Sequence, residues 1–525
     1  MTQKPDYHQH EEFQNRTRKL TEIRQAKLDP YPPKYSPTHH SKELHEQYEK
    51  VEIGHSDQAG EGSTPKVSVS GRLVLFRSMG KNAFGQIQDD QGRIQIMLNR
   101  DLTQLTGYEP QSEMVEQISD YRFIEKKIDL GDIIGVEGHL FHTNKGELTI
   151  YVKELTLLCK TLLPLAEKHA GLADKEIRYR KRWLDLISDR EVAKLFRTRS
   201  HIIRMVRDYL DEYQFMEVET PILGSIYGGA EARPFTTVLN ALDQNMFLRI
   251  SLEIPLKKLI VGGMGRVYEL GRVFRNEGID RTHNPEFTMM EAYATNWDYL
   301  DMMKFVEELF ERVALDLYGT TQVPYTLGEG AETIYINMKA PWTRLSMKES
   351  IKKYGNVDVD TLTDDQMRSR LIESGQIDPA EVKDFSRGLL IGALFEILVE
   401  HHLIQPHHIY DHPIETTPLC KPHRNSKLRA EGLVERFETF IIGKELCNSY
   451  SELNDPEIQR HLLEGQNDRR DAGDEEASPL DEEFLEAICQ GMPPTGGIGI
   501  GIDRMVMILT NSHSIRDVLF FPWMK

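Results

Sequence analysis

The sequence predicts an α+β protein in two parts: a small five-stranded β-barrel toward the N-terminus, then a larger region where strands and helices alternate irregularly. Three observations predict this. From Val67 to about residue 160, apolar residues recur with period two between Gly and Asn-Lys-Gly breaks. From about residue 190, amphipathic helices alternate with short apolar strands as far as the last residues. Hydrophobic residues make up 39% and charged residues 28%, a core-forming composition that excludes a wholly disordered chain. The 525-residue length suits about three domains.

Taken in order, residues 1–65 form a polar extension. A helix spans about Glu11 to Leu28, with Phe13, Leu20, Ile23 and Leu28 as its apolar positions and Pro30, Pro32 and Pro33 beyond its end. SDQAGEGSTP at 56–65 reads as a flexible loop by composition. Residues 66–165 carry the five strands, in VSVSGRLVLF, FGQIQD, RIQIML, DIIGVEGHLF and ELTIYVKELTLL. Such a barrel is either a plain packing module or an OB-fold, the five-stranded barrel that binds oligonucleotides. Residues 166–190 look like a linker. In the larger domain, 191–525, RTRSHIIRMVRDYLDEY forms an amphipathic helix with Ile202, Val206, Tyr209 and Leu210 on one side. FMEVETPIL follows as a strand stopped by Pro221, and a second amphipathic helix starts near 299. Residues 343–425 are helical and rich in Pro and His, an inserted subdomain.

Several function classes are excluded. No apolar run approaches about 18 residues, so no membrane span is expected. The start is polar, without an apolar signal core, and none of the four cysteines lies in a CxxC pair; the expectation is a cytoplasmic protein without a disulfide scaffold. With 64 Lys and Arg against 83 Asp and Glu, the charge of −19 argues against a broad nucleic-acid coat but permits a local basic groove. GGIGIGID at 496–503 misses the GxGxxG spacing at Ile502, and no Walker loop or HExxH occurs. HHLIQPHHIYDH at 401–412 lacks zinc-ligand spacing and reads as an ordinary, partly exposed segment.

Three stretches carry chemistry. GRVFRNEGIDRTHNPEFTMMEAY, 271–293, gives two strands and a long loop that hang Arg275, Glu277, His283 and Asn284 over one site. Period two puts Phe287, Glu291 and Tyr293 on one face, and Arg275 suits a phosphate or carboxylate. In PPTGGIGIGIDRM, Gly497, Gly499 and Gly501 line one face of a strand, as where a ligand comes close; Asp503 then suits an N-cap, followed by Arg504. In RFETFIIGKELCNSYSELNDP, Glu438 and Glu445 sit on the two arms of a hairpin without a nearby basic partner, and suit Mg²⁺. Glu452 and Glu253 are further acidic groups able to hold a cation. Together these suit nucleotidyl transfer to a positively charged small molecule.

FMEVETP, FRNEGIDRTHNPEFTMMEAY and GIGIGIDR resemble motifs 1, 2 and 3 of class II aminoacyl-tRNA synthetases. GGAEARPF, NSYSELNDP and PPTGGIGIGIDRM are similar to class II lysyl-tRNA synthetase in particular, and the similarity runs from about Lys19 to the C-terminus. The resemblance implies an antiparallel-sheet catalytic domain with an N-terminal OB-fold anticodon-binding domain. It implies activation of L-lysine with ATP and transfer of lysine to the 3′ end of tRNA(Lys). By position, Arg275 would hold the α-phosphate and the lysine carboxylate, and Arg504 the adenine and γ-phosphate. Phe287 would stack on the adenine; Glu277, His283 and Asn284 would line the ATP site; Glu438 and Glu445 would ligate Mg²⁺. Gly229 and Glu253 would receive the α-amino group of lysine. Glu452 and Tyr293 would take its ε-ammonium, with Asn448 and Tyr450 shaping the pocket. Arg77, Phe84, Gln95 and Glu147 match positions that read the anticodon. Motif 1 forms a dimer interface in this class, so Pro221 and its strand imply a homodimer. Val238 and Leu239, SLEIPLK around Glu253, Thr282 and Gly496 depart from the commoner family pattern. The alternatives are a non-catalytic RNA-binding or regulatory paralogue and a paralogue that lysylates protein. An aspartyl or asparaginyl synthetase would need a cationic pocket instead.

Overall fold

The computed structural model describes residues 5–109, 118–165, 174–328 and 330–524. The chain divides between Ala173 and Asp174 into two units.

In the first unit, α1 (Glu11–Gln25) precedes the strands β1 (Lys66–Met79), β2 (Asn82–Gln88), β3 (Arg93–Asn99), β4 (Ile133–His142) and β5 (Leu148–Cys159). The hairpin pairs are antiparallel; β3 then pairs with β5 in parallel, Gln95 opposite Thr149, which closes the barrel and removes its free edges. Alternate residues such as Val69, Ile87, Ile96, Val136 and Ile150 fill the interior. Ile23, Ala26 and Leu28 enter the same core, so the described residues before 66 are folded onto the barrel. The segment 56–65 is not an open loop: Ser56–Glu61 is a short helix ended by Gly62 at φ 84. Its Ala59 packs with Met97, Phe141 and Tyr151, burial that composition alone does not reveal.

The second unit is built on an eight-stranded sheet. The helices and strands that frame the site are α2 (Arg190–Glu212), α3 (Glu253–Val261), β6 (Arg266–Phe274), β7 (Glu286–Thr295), α4 (Tyr299–Tyr318), β8 (His407–Pro413), β9 (Leu433–Ile441), β10 (Lys444–Ser451), α5 (Glu482–Cys489), β11 (Thr495–Gly501) and α6 (Ile502–Leu509). The order across the sheet is Thr343–Ser346, β8, β9, β10, β11, β7, β6 and Met216–Glu217; only the two outermost pairs are parallel. α2, α4 and α6 cover one face through Val206, Phe305, Leu309, Met505 and Val506. Asp298 caps α4, accepting from the amides of Leu300 and Asp301. The opposite face holds the cavity described below.

Three boundaries and the burial of one segment differ from the sequence reading. Residues 175–188 form two short helices, and buried Arg182 donates to the backbone oxygens of Arg516 and Leu519, so this part of the expected linker is anchored in the second unit; 166–173 lie outside the described residues. The stretch 343–425 is not purely helical: Thr343–Ser346 and β8 belong to the central sheet, and the helices lie between them. Within the His-rich segment, His407, His408 and His412 are buried. Burial holds His408 below the usual histidine value and lowers His412 to about 3, so both are neutral strand residues. Finally, the strand expected over FMEVETPIL is broken: only Met216–Glu217 joins the central sheet, since Pro221 has no amide proton and Leu223–Gly224 pairs with Phe247 and Leu248.

Candidate active site

β6 and β7 form the hairpin that carries the first group. The amide of Arg275 donates to the carbonyl of Pro285 at 2.9 Å, closing the neck of the loop between them. At the exposed tip, His283 pairs with Asp280 at 2.8 Å. Asn284 donates to the Glu286 carbonyl and accepts from the Trp523 amide. Along β7 the alternation holds: Phe287, Met289, Glu291 and Tyr293 face the cavity, while Met290, Ala292 and Ala294 enter the helix-covered core.

β11 forms the floor. Gly499 lies opposite Glu291 and Gly497 opposite Tyr293, with Ile498 and Ile500 turned to the helices. A Cβ at Gly497 would overlap Glu452 Oε1 and come within 2.5 Å of Tyr293 Cε1, so only glycine fits. Asp503 is not the N-cap, a position held by Gly501. It accepts instead from the Thr288 amide at 2.7 Å and pairs with Arg199 at 2.6 Å, tying α6 to β7 and α2.

All fourteen residues assigned to ATP, lysine or metal line one cavity of about 430 Å³: Arg275, Glu277, His283, Asn284, Phe287, Glu438, Glu445, Arg504, Gly229, Glu253, Tyr293, Asn448, Tyr450 and Glu452. One end is strongly acidic. Glu253 Oε2 accepts from the Tyr450 hydroxyl at 2.6 Å, and its Oε1 is 2.5 Å from Lys257 Nζ. Glu291 accepts from the Leu252 amide at 2.9 Å and the Tyr293 hydroxyl at 3.0 Å. Glu452 Oε2 pairs with Lys257, whereas its buried Oε1 has no hydrogen-bond partner among the described residues. Burial, then the neighbouring Glu253 charge, pushes Glu291 up to about 7. Burial also raises Glu452 well above the usual carboxylate range, with Lys257 opposing. A cation entering here relieves that cost.

The other end holds phosphate-type chemistry. Arg275 lies over Phe287 at 5.3 Å, and Arg504 donates to the Glu445 carbonyl at 2.7 Å. The two hairpin carboxylates are not without basic partners: Arg436 pairs with Glu438 at 2.6 Å, and Arg504 is 3.4 Å from Glu445. Glu400 nearby is pushed up to about 8, by burial first and then by Glu396, Glu438 and Glu445. This negative field, with hard carboxylate oxygens on two adjacent strands, fits Mg²⁺.

In the first unit, Arg77 pairs with Phe84 across β1 and β2, and Gln86 with Gln95 across β2 and β3, so Arg77, Phe84 and Gln95 share the outer face of the barrel. Gln95 donates to Thr149 at 2.9 Å; exposed Glu147 sits at the β4–β5 turn.

Residues 174–525 match the family model for class II tRNA synthetases (D, K and N). The chain belongs to this family. Residues 67–158 of the synthetase match the OB-fold nucleic acid binding domain. It is 57% identical to a lysine–tRNA ligase of Chlamydia caviae, over 99% of this chain and 98% of the relative. The lysine–tRNA ligases of Moorella thermoacetica and Staphylococcus epidermidis are 45% and 43% identical, over 97% and 98% of each chain.

Three residues of the synthetase escaped assignment from sequence. Glu291 has the right period but received no role. Arg436, which also donates to Asn448 at 3.0 Å, is two residues from Glu438 on the same strand face, a spacing that signals the pair. Lys257 lies one helical turn after Glu253, the i,i+4 spacing of an ion pair.

Proposed function

We propose that this synthetase is a lysine–tRNA ligase: it joins L-lysine to ATP as lysyl-adenylate, releases pyrophosphate, and passes the lysyl group to the 3′ end of tRNA(Lys). The observation that carries the substrate is the buried, unpartnered Oε1 of Glu452 beside Tyr293 and Gly497. A carboxylate oxygen with nothing to accept from is costly unless a donor arrives with the substrate, and an ammonium supplies both donor and charge. Neutral or acidic side chains leave that cost unrelieved.

The roles follow from placement. Gly229, at φ 85 and too close to Ser251 to carry a side chain, leaves room beside Glu253 for the α-amino group. Arg275 holds the lysine carboxylate against the α-phosphate, so that a carboxylate oxygen attacks phosphorus in line while pyrophosphate leaves. Its guanidinium stabilises the charge that grows on the phosphoryl oxygens. Phe287 and Arg504 sandwich the adenine, with Glu277, His283 and Asn284 along the nucleotide. Tyr450 and Asn448 keep the side-chain channel in shape. Bound between Glu438 and Glu445, Mg²⁺ would neutralise phosphate charge.

In the barrel, Phe84 stacks on an anticodon base while Arg77, Gln95 and Glu147 read base edges. Exposed Met216, Ile222 and Leu223 beside Pro221 support a homodimer through this segment. No helix among the described residues is long and apolar enough to cross a membrane, and the proposed place of action is the cytoplasm. A regulatory, non-catalytic role is disfavoured because Arg275, Arg504, Glu438 and Glu445 all line the cavity. A role in lysylating protein alone is disfavoured by the complete barrel.

The test is ATP–pyrophosphate exchange with each of the twenty amino acids, without tRNA. Lysine is expected to drive exchange, with the others lower by a factor on the order of 10⁴. Exchange driven by another amino acid, or by none, would overturn the reading.

A further inference from the structure

Lys257 ends the SLEIPLK stretch and received no role from the sequence, yet it is the most deeply buried cation beside the cavity. Its side chain is wholly inaccessible. It starts on α3, one turn beyond Glu253, and its ammonium lies behind the carboxylates of Glu253 and Glu452, on the protein side of the cavity wall. The rings of Tyr450 and Phe484 close over it at 5.4 and 5.9 Å. The groups that face it come from four elements: Glu253 from α3, Tyr450 from β10 with Glu452 just beyond, Cys420 from the segment bridged to Glu452, and Phe484 from α5. Glu291 and Tyr293 from β7 face the same carboxylates.

Charge counting gives this ammonium a purpose. Three buried carboxylates, Glu253, Glu291 and Glu452, surround the amino-acid end of the cavity. With all three ionised around bound lysine, one buried ammonium leaves two negative charges, which is the number of ammonium groups on lysine. Lys257 also occupies Glu253 Oε1 and Glu452 Oε2, so the remaining oxygen of Glu452 is turned toward Gly497 and the cavity. Without it, the charge that opposes protonation of Glu452 is lost, and this carboxyl holds its proton to higher pH.

We propose that Lys257 is a specificity-positioning residue: its buried ammonium opposes the uptake of a proton by Glu452 and aims that carboxylate at the cavity, so that the site accepts an amino acid carrying two ammonium groups. The proposal rests on the reading of the protein as a lysine–tRNA ligase. Lys257 touches no substrate and acts through Glu253 and Glu452.

The experiment is lysine-dependent ATP–pyrophosphate exchange between pH 6.5 and 8.5 for the full chain, Lys257→Met, Glu452→Gln and the double variant. In Lys257→Met the carboxyl left without its partner is protonated to higher pH. The lysine KM is therefore expected to rise about tenfold per pH unit on the acid side, and to level off at least about one unit higher than in the unsubstituted protein, while the ATP KM stays within about twofold. In the cycle, adding Lys257→Met to Glu452→Gln is expected to cost less than about threefold further, because the group through which Lys257 acts is gone. The double variant removes the ion pair as a unit and keeps the test available if Lys257→Met does not fold. A lysine-KM profile parallel to that of the unsubstituted protein, or losses that multiply in the double variant, would overturn the proposal. Absence of lysine-driven exchange in the unsubstituted protein overturns the functional reading instead, a result separate from either of these.

Discussion

At the scale of single residues, the acidic end of the cavity is set by close fit as much as by charge. Gly497→Ala places a methyl group where Glu452 Oε1 and the edge of Tyr293 now lie. The carboxylate must turn away, and kcat/KM for lysine in exchange is expected to fall about 100-fold, with the ATP KM nearly unchanged. Glu291 makes the same end sensitive to pH. Raised to about 7 by burial and by Glu253, it is protonated in the empty cavity below that pH, and lysine must displace the proton. The lysine KM is expected to rise as pH falls below about 7, by about tenfold per unit, and this dependence is lost in Glu291→Gln. The sign for folding is the reverse of the usual carboxylate. The folded state binds this proton more tightly than the unfolded chain, so Glu291 costs stability as pH rises through this window. Period two along β7 made this face legible in the sequence. The partner of Glu438 was signalled by its spacing on the same strand, whereas that of Glu452 was not legible, because Lys257 becomes its counter-ion only once α3 and the end of β10 are folded against each other.

At the scale of elements, the sheet holds the site and α4 backs the sheet. The cap at Asp298 ties the start of α4 to Arg424 at 2.8 Å as well as to its own amides. Asp298→Ala is expected to cost about 1 kcal/mol locally, seen as roughly fivefold faster amide hydrogen exchange over residues 299–302. Long amphipathic elements were readable: α2 and α4 bury the faces that their periodicity marks. Short ones were not. Ser56–Glu61 has a loop-like composition, and the burial of Ala59 with Tyr151, together with the His55–Gln58 cap and Gly62 at its end, makes it a helix. The His-rich stretch around β8 read as polar surface because histidine hydropathy is that of a charged or hydrated group. In the sheet, His408 is neutral and bonded to Thr439 at 2.8 Å and Glu307 at 3.1 Å, and behaves as a core residue.

At the scale of the whole molecule, the proposed roles fall into two units, and the sequence marks the two parts by a change of period, from two in the barrel to mixed beyond residue 190. Each unit has its own buried core, the barrel around Val69, Ile96 and Val136 and the sheet around Phe305, Leu309 and Ile500. The residues proposed to activate lysine all lie in the second unit, and those proposed to read the anticodon all lie in the first. On that proposal, amino-acid activation without tRNA is expected to need nothing from the outer face of the barrel. Phe84 is half-buried there, paired across β1 and β2 with Arg77, and its ring packs beside Met97 and Tyr151 without entering the barrel interior. Phe84→Ala leaves that interior intact and removes one stacking plate. Loss of one base–aromatic stack is worth about 1–3 kcal/mol, so kcat/KM for tRNA in aminoacylation is expected to fall by a factor of about 5 to 150. Lysine-dependent exchange, measured on the same preparation, is expected to stay within about twofold of the unsubstituted protein. If exchange falls in step with aminoacylation, the two tasks are not divided between the units, and the barrel face supports adenylate formation directly.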